Sequence, residues 1–440
     1  MKTTRTRRDF INTTAMAGAG LGLGIGKTLA ATSSPVTPSA NQVPKRGIPS
    51  WPTFDQREDQ ALLEVLHSGN WGRTRGHKVE DFERAYAQMT GAKHCVATSA
   101  GTTALLTAFG ALGVGPGDEV ILPVYTFVAT FNAITAGYAL PVFVDTDPET
   151  FQIDAKKIPA AITRSTKVIL PVHIGGSPAD LDAIGSLSKA RGIHVIEDAC
   201  QAWVAQWRGR GVGNTSLAGC FSFQASKNLT AGEGGAIVTN DEEFADKCFN
   251  FQNQGGGRRA TGSGRGANLR LTEFQGGLLL AQMTRLEEQS RIREQNAAYL
   301  TKLLGEISGI KPARWHDGCT RNAYHLYMFR YQKEHFANLP RAKFLQALSQ
   351  EGIPASGGYT PLNASPHVRS LAKNPCYQKV YGKETMSQWE ERNQCPVNDQ
   401  LCTEAVWFTQ PVLLTVRPEM DRIAETIRKV QKRAPEFTKA

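Results

Sequence analysis

Gly219-Cys220-Phe221-Ser222-Phe223-Gln224-Ala225-Ser226-Lys227-Asn228-Leu229-Thr230-Ala231-Gly232-Glu233-Gly234-Gly235 reads as a short apolar strand, a loop holding one lysine, and a glycine-rich turn. An amine between an apolar strand and a turn of small residues is suited to desolvation, which lowers its pKa and frees it as a nucleophile. Most lysines are merely solvated surface charges, but a lone lysine among small residues favours the functional reading. The glycines let backbone approach a ligand closely.

Outward from this stretch, short apolar runs alternate with helical stretches. Strands are expected at His94–Thr98, Glu119–Leu122, Pro141–Val144, Lys167–Val172, His194–Glu197 and Gly219–Phe223. Helices are expected at Thr102–Leu112, Thr126–Ala136, Ala179–Arg191 and Asp241–Phe251, with an amphipathic helix before them at Phe54–Ser68. This alternation predicts an α/β fold, a mostly parallel sheet covered on both faces. In such sheets ligands sit beyond the carboxyl ends of the strands, so the chemistry is sought just after each one. A long helix, Thr272–Leu304, closes a large domain spanning 51–305. The remainder, 306–440, reads as a smaller α+β domain with a strand at His325–Tyr331 and helices at Arg341–Glu351 and Pro418–Lys432.

After the first strand, Thr98-Ser99-Ala100-Gly101-Thr102-Thr103 leads into a helix. Small hydroxyl residues and a glycine there suit either a phosphate cradle or ordinary capping. After the second, Tyr125 and Phe127 place two aromatics near the same mouth, for ring stacking or for core packing. After the fifth, Asp198 in Glu197-Asp198-Ala199-Cys200-Gln201-Ala202 is a carboxylate at the end of a buried strand, costly without a cationic partner. It fits a metal ligand, a structural ion pair or the counter-ion of a protonated ring nitrogen; no cluster of metal-ligand spacing accompanies it. Phosphate cradle, stacking aromatic, buried carboxylate and aldehyde-capturing amine together meet the needs of pyridoxal 5′-phosphate (PLP).

With these residues in place, the sequence resembles the DegT/DnrJ-type sugar aminotransferases. The similarity runs from about Pro49 to the C-terminus. It is densest in Gly113-Val114-Gly115-Pro116-Gly117-Asp118-Glu119-Val120, in Val195 to Ala202, and in Phe221-Ser222-Phe223 through Lys227-Asn228 to Gly235. The resemblance implies a fold-type I PLP transferase with a seven-stranded-type sheet. It implies Lys227 as the Schiff-base lysine and proton shuttle, and Asp198 as the partner of the pyridine nitrogen. Gln201 is then placed near the cofactor ring, Phe127 stacked on it, and Gly101, Thr102, Thr103 and Ser222 at the phosphate. Asn268 is implied to reach the phosphate from the partner subunit, in a homodimer with a shared active site. The implied reaction moves an amino group from glutamate or glutamine to a keto-sugar or keto-cyclitol. The alternatives are a PLP- or PMP-dependent sugar dehydratase, which some relatives achieve with histidine in place of the lysine, and a non-catalytic PLP-binding protein.

The sequence departs from the family pattern in four places. Trp203-Val204 replace a His-Gly pair, and His173-Ile174-Gly175-Gly176 replaces His-aromatic-Gly. Asn363 stands where Tyr359-Thr360-Pro361-Leu362 is usually followed by His, and Ala267 stands where a Tyr usually precedes Asn268. These positions lie where the family handles its sugar, so an unactivated ketone is expected rather than a nucleotide sugar.

The beginning of the chain reads as an address. Thr6-Arg7-Arg8-Asp9-Phe10-Ile11 precedes a weakly apolar stretch whose Gly18, Gly20, Gly22, Gly24 and Gly26 would make a poor helix. Residues 1–31 therefore resemble a twin-arginine (Tat) export signal, predicting a periplasmic protein, and the proline-dotted residues 32–50 a flexible tether. Much of the formal charge of +10 comes from Lys2, Arg5, Arg7, Arg8 and Lys27; the rest is dispersed, giving no footprint for nucleic acid. No apolar run has transmembrane length. Eight cysteines show no metal spacing, and in an oxidising compartment two of Cys376, Cys395 and Cys402 are candidates to pair.

Overall fold

The computed structural model describes residues 47–257 and 265–439. The export signal expected at 1–31, and the tether as far as residue 46, lie outside the described residues. The last tether residues are engaged with the fold: the Gly47 carbonyl accepts from Thr415 Oγ1 at 2.9 Å, and Ile48 packs against the C-terminal core.

Seven strands form the central sheet: β1 (His94–Thr98), β2 (Glu119–Pro123), β3 (Leu140–Val144), β4 (Thr166–Ile169), β5 (His194–Asp198), β6 (Ala218–Ser222) and β7 (Gly235–Thr239). Their order is β1-β7-β6-β5-β4-β2-β3, with only β7 antiparallel to its neighbours. β2, β3, β6 and β7 are buried along their whole length, which is why they read as unbroken apolar runs rather than alternating ones. The reversed strand β7 was missing from the expected set. The glycine-rich turn that masked it brings the chain straight back beside β6.

Local sequence sets the helix ends. Helix α1 (Gln56–Ser68) opens with a capping box between Asp55 and Glu58 and closes at Gly69 with φ 68°. α2 (Lys78–Thr90), not expected from the sequence, closes in the same way at Gly91. α3 (Gly101–Ala111) follows β1 directly. α4 starts at Val128 rather than Thr126, because Phe127 takes the extended N-cap conformation. α5 (Leu181–Arg191) and α6 (Glu242–Gln252) are capped by the side chains of Asp180 and Asp241. The long α7 (Glu273–Gly305) is started by a Thr272–Gln275 capping box.

Beyond α7, the antiparallel strands β8 (Ile310–Pro312), β9 (Leu326–Tyr331) and β10 (Ala405–Thr409) form a small sheet. Helices α8 (Arg341–Gln350) and α9 (Arg417–Lys439) pack with it through Phe344, Leu348, Ile423 and Ile427. Between α8 and β10, short helices carry Leu371, Tyr377 and Trp389 into the core of the large sheet, beside Phe131 and Phe143. There they also cover its edge: the Trp389 indole donates to the Pro141 carbonyl at 2.8 Å, and the Phe143 amide to Asn393 Oδ1 at 2.6 Å. An uncovered edge strand would offer these groups to another chain.

The eight cysteines are all free. No pairing forms among the last three, because Cys376 is exposed whereas Cys395 and Cys402 are buried in two different apolar clusters.

Candidate active site

The loops after β1, β2, β5 and β6 converge on one cavity of about 970 Å³ beyond the carboxyl ends of the parallel strands. Asp198, the last residue of β5, is 4% exposed on its wall. The Thr130 hydroxyl donates to Asp198 Oδ2 at 2.8 Å, and the Cys200 amide to Oδ1 at 3.2 Å. Thr126 joins its hydroxyl to that of Thr130 at 2.8 Å, extending the network along the start of α4. Among the described residues no cation forms an ion pair with Asp198, although a buried carboxylate is costly without one. A protonated pyridine nitrogen is the partner this carboxylate lacks.

Deeper in the fold, Asp198 is held by a fully buried pair. His173 Nε2 lies 2.8 Å from Glu197 Oε2, and both residues have no exposed surface. Burial would raise the Glu197 carboxyl, but bonds from His173, Ser216 and the Gly213 amide outweigh it and hold the group below the ordinary carboxylate range. The His173 amide donates to the Asp198 carbonyl at 3.0 Å, tying the pair to the end of β5. In the turn that follows, Gly175 has φ 67°, a left-handed conformation in which glycine is unstrained. Its amide donates to Gln201 Oε1 at 2.7 Å, and Gln201 Nε2 donates to the Tyr359 hydroxyl at 3.1 Å. Both ends of the Gln201 amide are thereby fixed by protein while the side chain lines the cavity. Burial pushes the Tyr359 hydroxyl up to about 12, so it stays protonated.

Lys227 lines the same cavity. Burial lowers its pKa from the ordinary 10.5, opposed by the nearby Cys200 and Asp198. Its Nζ stands 5.9 Å from the ring centroid of Trp203, a fully buried residue whose indole donates to the Ser222 carbonyl at 3.0 Å. The neutral amine is the attacking form, and its fraction grows as pH rises through the lowered pKa. Capture of PLP by apoprotein should therefore speed up with pH with a midpoint below 10.5, as stopped-flow absorbance would show; a midpoint at that ordinary value would mean that burial is not acting on Lys227.

At the start of α3, Gly101 and Thr102 line the cavity, and the first N–H groups of a helix have no partner within it. A Cβ on Gly101 would lie 2.6 Å from Ser222 Cβ and 2.9 Å from Cys200 Sγ. The close approach of α3 to β6 is thus possible only for glycine, and it brings Ser222 to the helix terminus. Gly101→Val should push these elements apart and weaken PLP retention about ten-fold or more in equilibrium dialysis, since one or two anion-binding hydrogen bonds are lost.

Thr103 is placed differently from the expectation. Its Oγ1 accepts from the Ala100 amide at 2.8 Å and caps the helix, and the residue does not line the cavity. Phe127 is 57% exposed at the rim, its ring free to cover a planar ligand. Asn268 is exposed on a segment bridged to Asn253 and does not line the cavity of its own chain. Thr130 and His325 were not singled out from the sequence, and Trp203 only as a departure from the family pattern. Thr130 had a signal, lying one turn into the helix that follows the second strand.

The donor set is that of a PLP site: a desolvated amine, an unpaired buried carboxylate, a helix terminus with serine for phosphate, and an aromatic at the rim. Residues 52–428 match the DegT/DnrJ/EryC1/StrS aminotransferase family. The chain belongs to that family. It is a PLP-dependent aminotransferase, and its fold is the fold-type I architecture. A 3-amino-5-hydroxybenzoate synthase of Amycolatopsis mediterranei (strain S699) is 35% identical over 384 residues, 86% of this chain and 96% of the relative. An L-glutamine:2-deoxy-scyllo-inosose aminotransferase of Streptoalloteichus tenebrarius is 36% identical over 401 residues, 87% of this chain and 94% of the relative. Among solved structures, a Bacillus subtilis protein with bound cofactor PMP superposes with a TM-score of 0.72 at 28% identity, covering 86% of this chain and 82% of that one.

Proposed function

We propose that this aminotransferase takes an amino group from glutamine or glutamate and delivers it to the keto group of a cyclitol or sugar that is not nucleotide-linked. The observation that carries the reading is the convergence of Lys227 and the unpaired Asp198 on one cavity, in a chain whose relatives include a glutamine:keto-cyclitol aminotransferase. Bound PLP supplies an electrophilic carbon and an electron sink. With PLP bound, Lys227 would supply the amine for that carbon and, when free, an acid and base able to hold or move a proton at its Nζ. Asp198, held by Thr130 and the Cys200 amide, would keep the ring nitrogen charged. Gly101, Thr102 and Ser222 would hold the phosphate and Phe127 would cover the ring, while Gln201 is fixed at the cavity wall by its bond to Tyr359.

The same reading gives the enzyme a homodimer with a shared active site, in which the partner subunit's Asn268 completes the phosphate site. Asn268 lies outside its own cavity, and Phe54, Leu63, Leu66 and Trp71 leave an exposed apolar stripe along and beyond α1. Sedimentation should give twice the chain mass, and mixing Lys227→Ala chains with Asn268→Ala chains should restore activity in the hybrid. A monomer that turns over at full rate would remove this part. Residues 1–31 are proposed as a Tat signal, outside the 52–428 region shared with the family. Replacing Arg7 and Arg8 by Lys should keep the protein out of the periplasmic fraction; unchanged export would contradict it.

The half-reaction is tested by the visible spectrum of the PLP-loaded protein. A band that requires Lys227 should bleach on adding glutamine or glutamate alone. A band that no amino donor alters, with a deoxygenated product formed, would favour the dehydratase instead.

A further inference from the structure

His325 precedes β9, the middle strand of the small sheet, and is 7% exposed where it lines the cavity opposite the loops of the large sheet. Its hydrogen bonding fixes its tautomer. Asn228 Nδ2 donates to the Ala323 carbonyl at 2.8 Å, which turns Asn228 Oδ1 toward His325 Nδ1 at 3.2 Å. An amide oxygen only accepts, so the proton sits on Nδ1 and Nε2 is left with a lone pair. Nε2 has no hydrogen-bond partner among the described residues and is not sealed from solvent, in a residue that lines the cavity. The ring cannot swing freely, being packed edge-on against Trp203 at 5.5 Å. The same indole lies 5.9 Å from Lys227 Nζ, so the lone pair and the amine flank one rigid wall.

Charge decides what the lone pair can do. Burial, Lys227 and Arg293 all push the His325 pKa well below its ordinary 6.5. Arg293 is itself fully buried, and its Nε bonds Gln410 Oε1 at 3.0 Å. Buried in this way, the imidazole stays neutral and is a poor carrier of protons. A fixed neutral acceptor in a largely apolar wall is instead suited to reading a hydroxyl group, because a buried acceptor left unpaired is costly.

We propose that His325 Nε2 is a specificity-determining acceptor for a hydroxyl on a carbon flanking the keto carbon of the amino acceptor. This rests on the aminotransferase reading and narrows its substrate to α-hydroxy ketones. Asn228 and Trp203 act as positioning residues, one setting the tautomer and the other the ring plane.

The test compares scyllo-inosose with its analogue lacking both hydroxyls flanking the carbonyl, using PLP-loaded full-length enzyme and glutamine. The unsubstituted enzyme should prefer scyllo-inosose at least ten-fold in kcat/KM; equal use of the two ketones would overturn the proposal without any variant. His325→Leu should lose about ten-fold on scyllo-inosose and less than two-fold on the analogue. His325→Gln, whose Oε1 reaches near the Nε2 position, should recover most of the loss. A loss of the same size on both ketones would assign His325 a purely structural role and overturn the proposal. The bleaching of the Lys227-dependent band by glutamine, read on the same preparations, reports the parent reaction separately. If it persists while ketone discrimination is absent, only the role of His325 falls.

Discussion

Lys227→Ala should abolish the visible band of the PLP-loaded protein and lower turnover by about 10⁴-fold or more, because covalent capture and proton transfer are lost together. The cofactor should still bind, since Asp198, Gly101, Thr102 and Ser222 remain in place around the cavity. Lys227→Arg should fail almost as completely. It keeps a positive charge near the Trp203 ring but presents no neutral amine at any working pH. Band and rate therefore separate two meanings of the residue: a mere counter-charge would survive the arginine change, and a nucleophile would not. Turnover within ten-fold of the parent in Lys227→Arg would remove Lys227 from the covalent role.

Asp198→Asn should lower the donor half-reaction about 10²- to 10³-fold, the range for removing one preorganised charge from the developing centre. The substitution nearly preserves shape. The oxygen of the new amide could still accept from Thr130 or from the Cys200 amide, so folding should be retained and the band should still form. A second consequence has the opposite look. Asp198 raises the pKa of Lys227, against the lowering by burial. Without that charge the amine becomes neutral at lower pH, and the midpoint for PLP capture should fall even as catalysis is lost. A variant slowed only two- or three-fold, with an unmoved capture midpoint, would show that the carboxylate does not face the ring nitrogen.

The parts of this site that the sequence revealed are those at strand ends, where the backbone direction of a parallel sheet dictates which residues meet. Asp198, Ser222 and Phe127 belong to that class, and so does Gly101. Lys227 stood out because its neighbours are small. What the sequence concealed arrives from elsewhere in the chain. His325 comes from the small sheet, and nothing in its local pattern marks it; its meaning depends on Asn228, nearly a hundred residues earlier, which sets its tautomer. Thr103 carries a hydroxyl of the right type that is engaged in its own helix cap. In the fold, β7 was missed although Ala236-Ile237-Val238-Thr239 is an apolar, β-branched run, because it is short and follows directly on a glycine-rich turn. The helical segment carrying Trp389 was assigned with the C-terminal residues, although its apolar side chains pack onto the large sheet, a contact that only the tertiary structure specifies.

The most direct measurement of the central claim follows nitrogen. PLP-loaded enzyme is incubated with glutamine labelled with ¹⁵N at the α-amino group and with scyllo-inosose, and the products are resolved by mass spectrometry. The account predicts a cyclitol amine carrying the label, in amount equal to the keto acid formed from glutamine, and none with Lys227→Ala. Label that stays in the donor, or a dehydrated cyclitol product without nitrogen, would contradict it.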